Sequence, residues 1–333
     1  MHPWQENLWG RIAAGSARLP HAMLLRGQEG IGKYDFAVEL AQALLCHSPL
    51  HDGRACGQCA SCGWFAQSHH PDYRLLSPEL ESEGEGAPAT VGRKSQISVA
   101  QIRALSDFFE LSSHQSGGRR VVLIHPAEAL NPASANALLK ILEEPPAGVV
   151  FLLVAHQPQR LLPTILSRCH KIDMPIPSSE AALAWLKGEG IQNAEKYLAY
   201  AGGSPLLAKL MAEESSKQMD ELWKALSLGA RLDPFTTAAL FAKLGMTIAV
   251  QVLQKWVYDL AGSRLTGEVR YHTQQGNALQ ALANSVDLGL LFELQRKLDE
   301  ARRASTHPLN SELQLENLLL QYTQIFPTSG RLR

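Results

Sequence analysis

Neither sign of charge is in excess in this 333-residue sequence: Lys and Arg total 31 against 32 Asp and Glu. A chain without a basic surplus lacks the field that drives autonomous binding to a nucleic-acid backbone, so any DNA contact must be local or shared with partners. Long hydrophobic runs are also missing. No stretch of about 18 apolar residues is present to span a bilayer, and Met1–Asn7 carries neither the cationic nor the apolar block of a secretion signal. The expectation is a cytoplasmic protein with no membrane partner. Cysteine is sparse, five in all, yet four of them fall between positions 46 and 62. Cysteines so few and so crowded argue against a disulfide framework and for metal ligation. What remains, 45% hydrophobic and 19% charged, is an ordinary soluble composition in a chain long enough for two or three domains.

The rest of the chain is organised around Gly27-Gln28-Glu29-Gly30-Ile31-Gly32-Lys33-Tyr34. Ala22–Leu25 before it reads as a short buried strand, and Phe36, Leu40 and Leu44 after it recur at the spacing of a helix. Strand, glycine loop and helix in that order wrap a nucleotide's phosphates in backbone N–H groups, place a Lys on the outer ones and end in a small hydroxyl for magnesium. Tyr34 stands where that hydroxyl belongs. A phenol oxygen sits farther from the backbone and is a poor ligand for an ion that demands tight octahedral geometry. Gly27, Gly30, Gly32, Lys33 and Tyr34 therefore read as a degenerate nucleotide cradle, one that can hold its shape and leaves ATP or ADP binding open, but is not equipped for hydrolysis. A chance glycine turn is the alternative.

Cys46, Cys56, Cys59 and Cys62 follow the helix of that loop with the spacing C-x9-C-x2-C-x2-C. Four thiolates close the shell of one tetrahedral ion, as a structural zinc site requires, and leave no coordination position open for catalysis. Reduced thiols without metal, or a redox pair, are the competing reading. His69 and His70 nearby read as surface imidazoles on a loop. From Ser77 to Gln96 the chain is acidic and glycine-rich, which predicts a mobile loop. Ser98 and Gln101 then have the spacing of a capping box, opening a helix that carries Ile102, Leu105 and Phe109.

Val121–Ile124 and Val149–Ala155 are short apolar runs of the kind found in buried parallel strands. Their alternation with helices predicts an α/β domain, a parallel sheet covered by helices on both faces. At the end of the first of these strands a nucleotide hydrolase carries an Asp for the metal and an acid that positions water. This chain offers His125 and Pro126, with Glu128 beyond the proline on the next turn. The segment from Asn136 reads as a helix stopped by Pro145 and Pro146, and Ser167-Arg168-Cys169 ends another, where Arg168 on spacing alone serves equally as a helix cap.

Four of these features together resemble the clamp-loader branch of the AAA+ ATPases: the loop at 27–34, the four-cysteine module, N-A-L-L-K-I-L-E-E-P-P at 136–146 and T-I-L-S-R-C at 164–169. The resemblance covers about the first 170 residues. It implies an AAA+ domain at 1–173 with the inserted zinc module, a small helical lid at 174–211 and an all-α collar or oligomerisation domain at 212–333. It further implies a ring-like pentamer with ATP held between subunits, in which the Ser-Arg-Cys motif of one chain reaches its neighbour's ATP. Arg168 would then be a catalytic residue acting in trans, with Ser167 in support and Cys169 shaping the turn. The partners so implied are ATPase subunits called gamma or tau, a delta subunit, a sliding clamp and primed DNA reached through the assembly.

The departures from the family pattern are Tyr34, His125, Pro126 and Leu206, the last lying in Gly202–Leu206 where a lid arginine is expected. All fall on the chain's own hydrolysis machinery. The expectation is a non-hydrolysing subunit of the DNA polymerase III clamp loader that lends Arg168 to a neighbour. Two rivals stay open: an active gamma-like ATPase using Glu128, and a stand-alone zinc-containing nucleic-acid-binding protein, which the balanced charge argues against.

Past Pro175 and Pro177 the sequence reads as helical throughout. Ser179–Lys187, Ala194–Ala201 and Pro205–Leu210 fit the lid, and Asp233-Pro234 is a helix start. Further helices are predicted at 246–261, 286–303 and 311–325, with apolar stripes broader than a coiled-coil seam. Trp185 and Trp256 read as core residues rather than base-stacking platforms. Arg296, Lys297, Arg302 and Arg303, interleaved with Asp299 and Glu300, read as a solvated face.

Overall fold

A computed structural model of the chain describes residues 1–15, 19–78, 96–110, 118–214, 216–304 and 310–326. The chain divides into two compact units, Met1–Ala181 and Ala182–Arg333. Among its described residues the first is built on five strands, β1 (Ala22–Arg26), β2 (Tyr73–Leu76), β3 (Arg120–Ile124), β4 (Val149–Ala155) and β5 (His170–Asp173). They lie side by side in the order β2-β3-β4-β1-β5, every neighbouring pair parallel.

The two-residue period of a strand divides the side chains between the faces. Met23 and Leu25 of β1, Val121 and Leu123 of β3, and Val150, Leu152 and Val154 of β4 join one core cluster. Leu24, Val122, Ile124, Phe151 and Leu153 join the other. Strands buried on both faces can be apolar at every position, which is why β3 and β4 read as unbroken hydrophobic runs. The predicted α/β sheet with both faces covered is thus what the first unit adopts.

Among the described residues seven helices cover it: α1 (Glu6–Ala14), α2 (Lys33–Leu45), α3 (Ala60–Ala66), α4 (Val99–Arg103), α5 (Leu105–Glu110), α6 (Pro132–Glu143) and α7 (Pro163–Arg168). Trp9 of α1 and Phe36 and Leu40 of α2 pack on the first face. Ile102, Leu105, Leu138, Leu142 and Ile165, from α4 to α7, pack on the second. The predicted capping box of α4 is present, with the Gln101 N–H on Ser98 Oγ and the Ser98 N–H on Gln101 Oε1. Helix α6 begins four residues earlier than the sequence suggested, because the Asn131 side chain accepts the Ser134 N–H at 2.8 Å and Pro132 occupies the first helical position.

Three expectations need correction or limits. The first helix, read as residues 4–18, opens with a 3-10 turn at Pro3–Gln5 and is α-helical only over Glu6–Ala14; 16–18 lie outside the described residues. The mobile loop at 77–96 falls largely on 79–95, also outside them. Strands β2 and β5 were missed because they are the sheet's two edges. An edge strand tolerates polar residues, and in β5 only Ile172 is buried, between His170, Lys171 and Asp173.

The second unit is helical, with α8 (Ser179–Gly188) entering it from the boundary and α9 (Ala194–Tyr200), α10 (Pro205–Glu214), α11 (Ser216–Leu226), α12 (Pro234–Ala242), α13 (Met246–Leu265), α14 (Gly276–Ala283), α15 (Leu288–Ala304) and α16 (Ser311–Gln324) following. Ala182, Leu186, Leu198 and Ala208 centre a small cluster formed by α8 to α10. A larger one gathers Trp223, Phe241, Trp256, Leu291 and Tyr322. Asp233 caps α12 as its sequence predicts, accepting the Phe235 and Thr236 N–H groups. Trp256 is a core residue: its Nε1–H donates to Tyr322 Oη at 2.9 Å, and that hydroxyl donates to Leu226 O at 2.6 Å. Arg296, Lys297, Arg302 and Arg303 are all exposed. Among the described residues no helix is long and apolar enough to cross a membrane.

Candidate functional site

The glycine loop joins β1 to α2 at the carboxyl ends of the strands, where open α/β sheets bind their ligands. Its glycines are required by the path. Gly30 and Gly32 have φ of 77° and 82°, and a Cβ on Gly32 would stand 2.3 Å from the His2 ring. His2 is there because residues 2–5 fold across the loop. Trp4 Nε1–H donates to Ile31 O at 3.0 Å, Gln5 Nε2–H donates to Gly32 O at 2.8 Å, and His2 Nε2–H donates to the Asp35 carboxylate at 2.8 Å. That bond holds Asp35, in the first turn of α2, below the usual carboxylate range.

Lys33 is turned back on its own loop. Its Nζ donates to Gly27 O at 2.8 Å and Gln28 O at 2.5 Å, and the side chain is 2% exposed. Burial lowers its pKa to about 8, against the opposing pull of Glu128 and Glu29. Tyr34 packs its ring 4.6 Å from that of His125 at the end of β3, and His125 lies 5.3 Å from His156 at the end of β4. Burial pushes both imidazoles down to about 4, so both are neutral at pH 7. Glu128 sits on a 3-10 turn, Ala127–Ala129, and its Oε1 accepts the backbone N–H groups of His156 at 2.9 Å and Gln157 at 3.0 Å. A magnesium ion with bound phosphate needs hard oxygen ligands. Tyr34, His125 and His156 present a phenol and two neutral imidazoles instead.

Arg168 ends α7, two residues before β5. Strand β5 runs parallel to β1, His170 opposite Met23 and Asp173 opposite Arg26, so Arg168 precedes the strands while the glycine loop follows them. The two therefore flank opposite ends of the same sheet, separated by roughly 10 Å of strand rise alone. The Arg168 side chain is 34% exposed. Its Nη1 donates to Thr164 O at 3.1 Å and Ser167 Oγ at 3.4 Å, and its Nη2 donates to Glu143 Oε1 at 2.5 Å. Ser167 Oγ–H donates to Thr164 O at 3.0 Å. Cys169 is buried in the second face's core, which pushes its thiol up to about 11. Arg168 thus caps its own helix while about a third of its side chain stays exposed.

The four clustered cysteines form one site. Their Sγ atoms all lie within 4.8 Å of one another, with Cys46–Cys59 and Cys56–Cys62 at 3.9 Å and Cys46–Cys62 at 3.7 Å. A tetrahedral ion with bonds of about 2.3 Å to sulfur sets its ligands about 3.8 Å apart, so the thiols fit a structural zinc. Backbone N–H groups of Gln58 and Cys59 point at Cys56 Sγ and hold that thiol below its ordinary pKa. The site joins the end of α2 to α3, since Cys46 follows Leu45 and Cys59 precedes Ala60.

His70 corrects the sequence reading: His69 is exposed, but His70 is only 5% exposed. Ser61 Oγ–H donates to Leu45 O at 2.6 Å, so the contact at 2.8 Å requires His70 Nε2–H to donate to Ser61 Oγ. His70 Nδ1 then accepts the Asp72 N–H at 3.1 Å. The imidazole braces the module against β2 and is not a ligand.

Residues 5–178 match the family model described as DNA polymerase III, delta subunit. The chain is 37% identical to DNA polymerase III subunit delta' of Pseudomonas aeruginosa over 98% of each chain. The chain belongs to the DNA polymerase III delta-prime family. Subunit delta' of Yersinia pestis is 31% identical, over 98% of this chain and 96% of that one. A solved DNA polymerase III gamma-subunit-related protein from Thermotoga maritima superposes with a TM-score of 0.44 at 20% identity, over 96% of this chain and 99% of that one.

In this delta-prime family member the predicted site residues fall into three places. Gly27, Gly30, Gly32, Lys33 and Tyr34 gather with His125 at the carboxyl ends of the strands. Ser167 and Arg168 stand at the opposite ends, and the cysteines form a separate module. Sequence reasoning missed His2, Gln5, Asp35 and His156 around the loop, and Glu143 beside Arg168. His156 follows a predicted strand in the polar turn, a signal that was available. His2 and Gln5 touch the loop only through tertiary folding, which no local pattern announces.

Proposed function

We propose that this chain, the delta-prime subunit of the DNA polymerase III clamp loader, does not hydrolyse ATP itself and supplies Arg168 in trans to ATP held by a neighbouring gamma or tau subunit. The observation that carries this reading is the placement of its cations. Lys33 is buried on its own loop carbonyls, whereas Arg168 is partly exposed at the far end of the sheet, out of reach of that loop. A guanidinium delivered to the transferred phosphoryl group neutralises charge that develops in the transition state. On its own side the chain lacks the parts for turnover. Tyr34 replaces the magnesium hydroxyl, neutral His125 stands at the strand end, and Glu128 has one oxygen committed to two backbone N–H groups.

A nucleotide entering the loop would have to displace Lys33 from Gly27 O and Gln28 O; with Tyr34 in place of the magnesium hydroxyl, any ATP or ADP held there is bound without turnover. The remaining assignments follow from the same reading. Residues 174–211 serve as a lid and 212–333 as a collar that holds the assembly together. The delta subunit, the sliding clamp and primed DNA are the other partners, in the cytoplasm. Cys46, Cys56, Cys59 and Cys62 hold one structural zinc.

The test is ATP turnover by the chain alone and by a complex reconstituted with its ATPase partners, delta, clamp and primed DNA, wild type against Arg168→Ala. The expected result is silence from the isolated chain and a slower, still assembled complex with the variant. Turnover by the isolated chain would instead support the gamma-like reading through Glu128.

A further inference from the structure

Helix α6 ends in a way that its own chemistry disfavours. Its last residue and its cap are Glu143 and Glu144, two carboxylates at the negative end of a helix dipole. The stop itself is supplied by Pro145 and Pro146, so neither acid is needed to end the helix. Local rules broken without local gain are expected at functional positions. Lys140 lies in the same last turn, and a second cation comes from another helix: Arg168, whose Nη2 lies 2.5 Å from Glu143 Oε1.

We propose that Glu143 is a positioning residue for Arg168, holding the guanidinium in the orientation from which it engages a nucleotide phosphate on the neighbouring subunit. The inference rests on the trans role proposed above. Glu143 suits the task because it sits on a fixed element: α6 is capped by Asn131 and anchored in the core by Leu138 and Leu142. Arg168 ends a helix of only six residues and has a long side chain with many rotamers. Thr164 O and Ser167 Oγ fix Nη1 from Arg168's own helix, while Glu143 fixes Nη2 from another. Together these contacts set the plane of the fork. None of them uses the Nε–H, which among the described residues stays available to an incoming phosphate oxygen. A phosphate accepts a guanidinium best through a planar, oriented fork, so fixing the plane beforehand lowers the cost of reaching that geometry.

The experiment uses the reconstituted complex with clamp and primed DNA. The share of the turnover that depends on Arg168 is the difference between wild type and Arg168→Ala. Glu143→Ala is expected to cut the kcat of that share about fivefold, the upper worth of an exposed ion pair expressed as a rate, with the KM for ATP unchanged. Glu143→Gln, whose amide oxygen still accepts from Nη2, is expected to retain most of it. In the Arg168→Ala background Glu143→Ala is expected to change nothing further, and the melting temperature of the isolated chain should stay level throughout.

If Arg168→Ala slows the complex while Glu143→Ala matches wild type, the positioning role is overturned and the trans role stands. Equal slowing by Glu143→Ala in both backgrounds overturns it as well, since the effect would not pass through Arg168. Arg168→Ala without effect overturns the trans role and this inference with it.

Discussion

Two cations at opposite ends of the first unit's sheet, Lys33 and Arg168, sit in opposite surroundings. At the carboxyl ends Lys33 is buried, bonded to two carbonyls of its own loop and pushed down to about 8. At the amino ends Arg168 is about one-third exposed, and each of its contacts is one that a phosphate oxygen can supplement or replace. Of these two cations, Lys33 is turned inward and Arg168 outward. The difference lies in what surrounds them. His2, Trp4 and Gln5 fold over the loop, while at the other end Ser167, Thr164 and Glu143 support the guanidinium without covering it.

The largest effect that would break this contrast is loss of the cysteine site. A structural zinc contributes on the order of 10 kcal/mol in small zinc domains, and Cys46 closes the helix that begins at Lys33. Cys46→Ser is expected to abolish stoichiometric zinc, read by elemental analysis, and to raise amide exchange in α2 and α3 while leaving α7 protected. Uniform exchange across the unit would show that the module supports the whole fold and not one end of it.

Next comes Arg168→Ala itself, expected to lower the rate at the one adjoining ATP site by about 10³-fold or more, the total rate falling to what the other sites sustain. Single-turnover measurements resolve the silent fraction.

A smaller effect concerns the inward end and its pH dependence. His125 and His156 titrate near 4 in the fold, against an ordinary value of about 6.5. The unfolded chain takes up more protons between those values, so their contribution to stability is complete above about 6.5 and is lost as the pH falls toward 4. Each is worth on the order of 1–2 kcal/mol once partial solvent access is discounted. The double variant His125→Gln/His156→Gln should flatten urea-unfolding stability between pH 4.5 and 7. The same acid loss in wild type and variant would place the titrating groups elsewhere.

The smallest expected effect is Gly32→Ala, at φ of 82° and with the His2 ring in the way. It should cost upwards of about 1 kcal/mol and free residues 2–5 from the loop, seen as faster exchange of the Gln5 N–H that donates to His2 O, without altering the complex's turnover.

Much of this contrast was legible in the residues. The glycine loop, the runs at β3 and β4, the four cysteines and the Ser-Arg-Cys turn all announce themselves through short-range spacing, which is what sequence patterns encode. Tyr34 and His125 are departures visible only against such a pattern. What escaped has a common physical cause. Strands β2 and β5 are edges, where polar residues mask the strand. His70 looks like a loop imidazole until Ser61 and Asp72 enclose it. His2 reaches Asp35 across 33 positions and Arg168 reaches Glu143 across 25. Partners that far apart are set by packing of the sheet, not by period.

The most direct measurement sets the two cations against each other in one complex: steady-state ATP turnover with clamp and primed DNA for wild type, Arg168→Ala and Lys33→Met. The account predicts that Arg168→Ala slows the assembled complex while Lys33→Met leaves its rate unchanged. A complex slowed by Lys33→Met and indifferent to Arg168→Ala would contradict it, and would place the chain's contribution at its own loop.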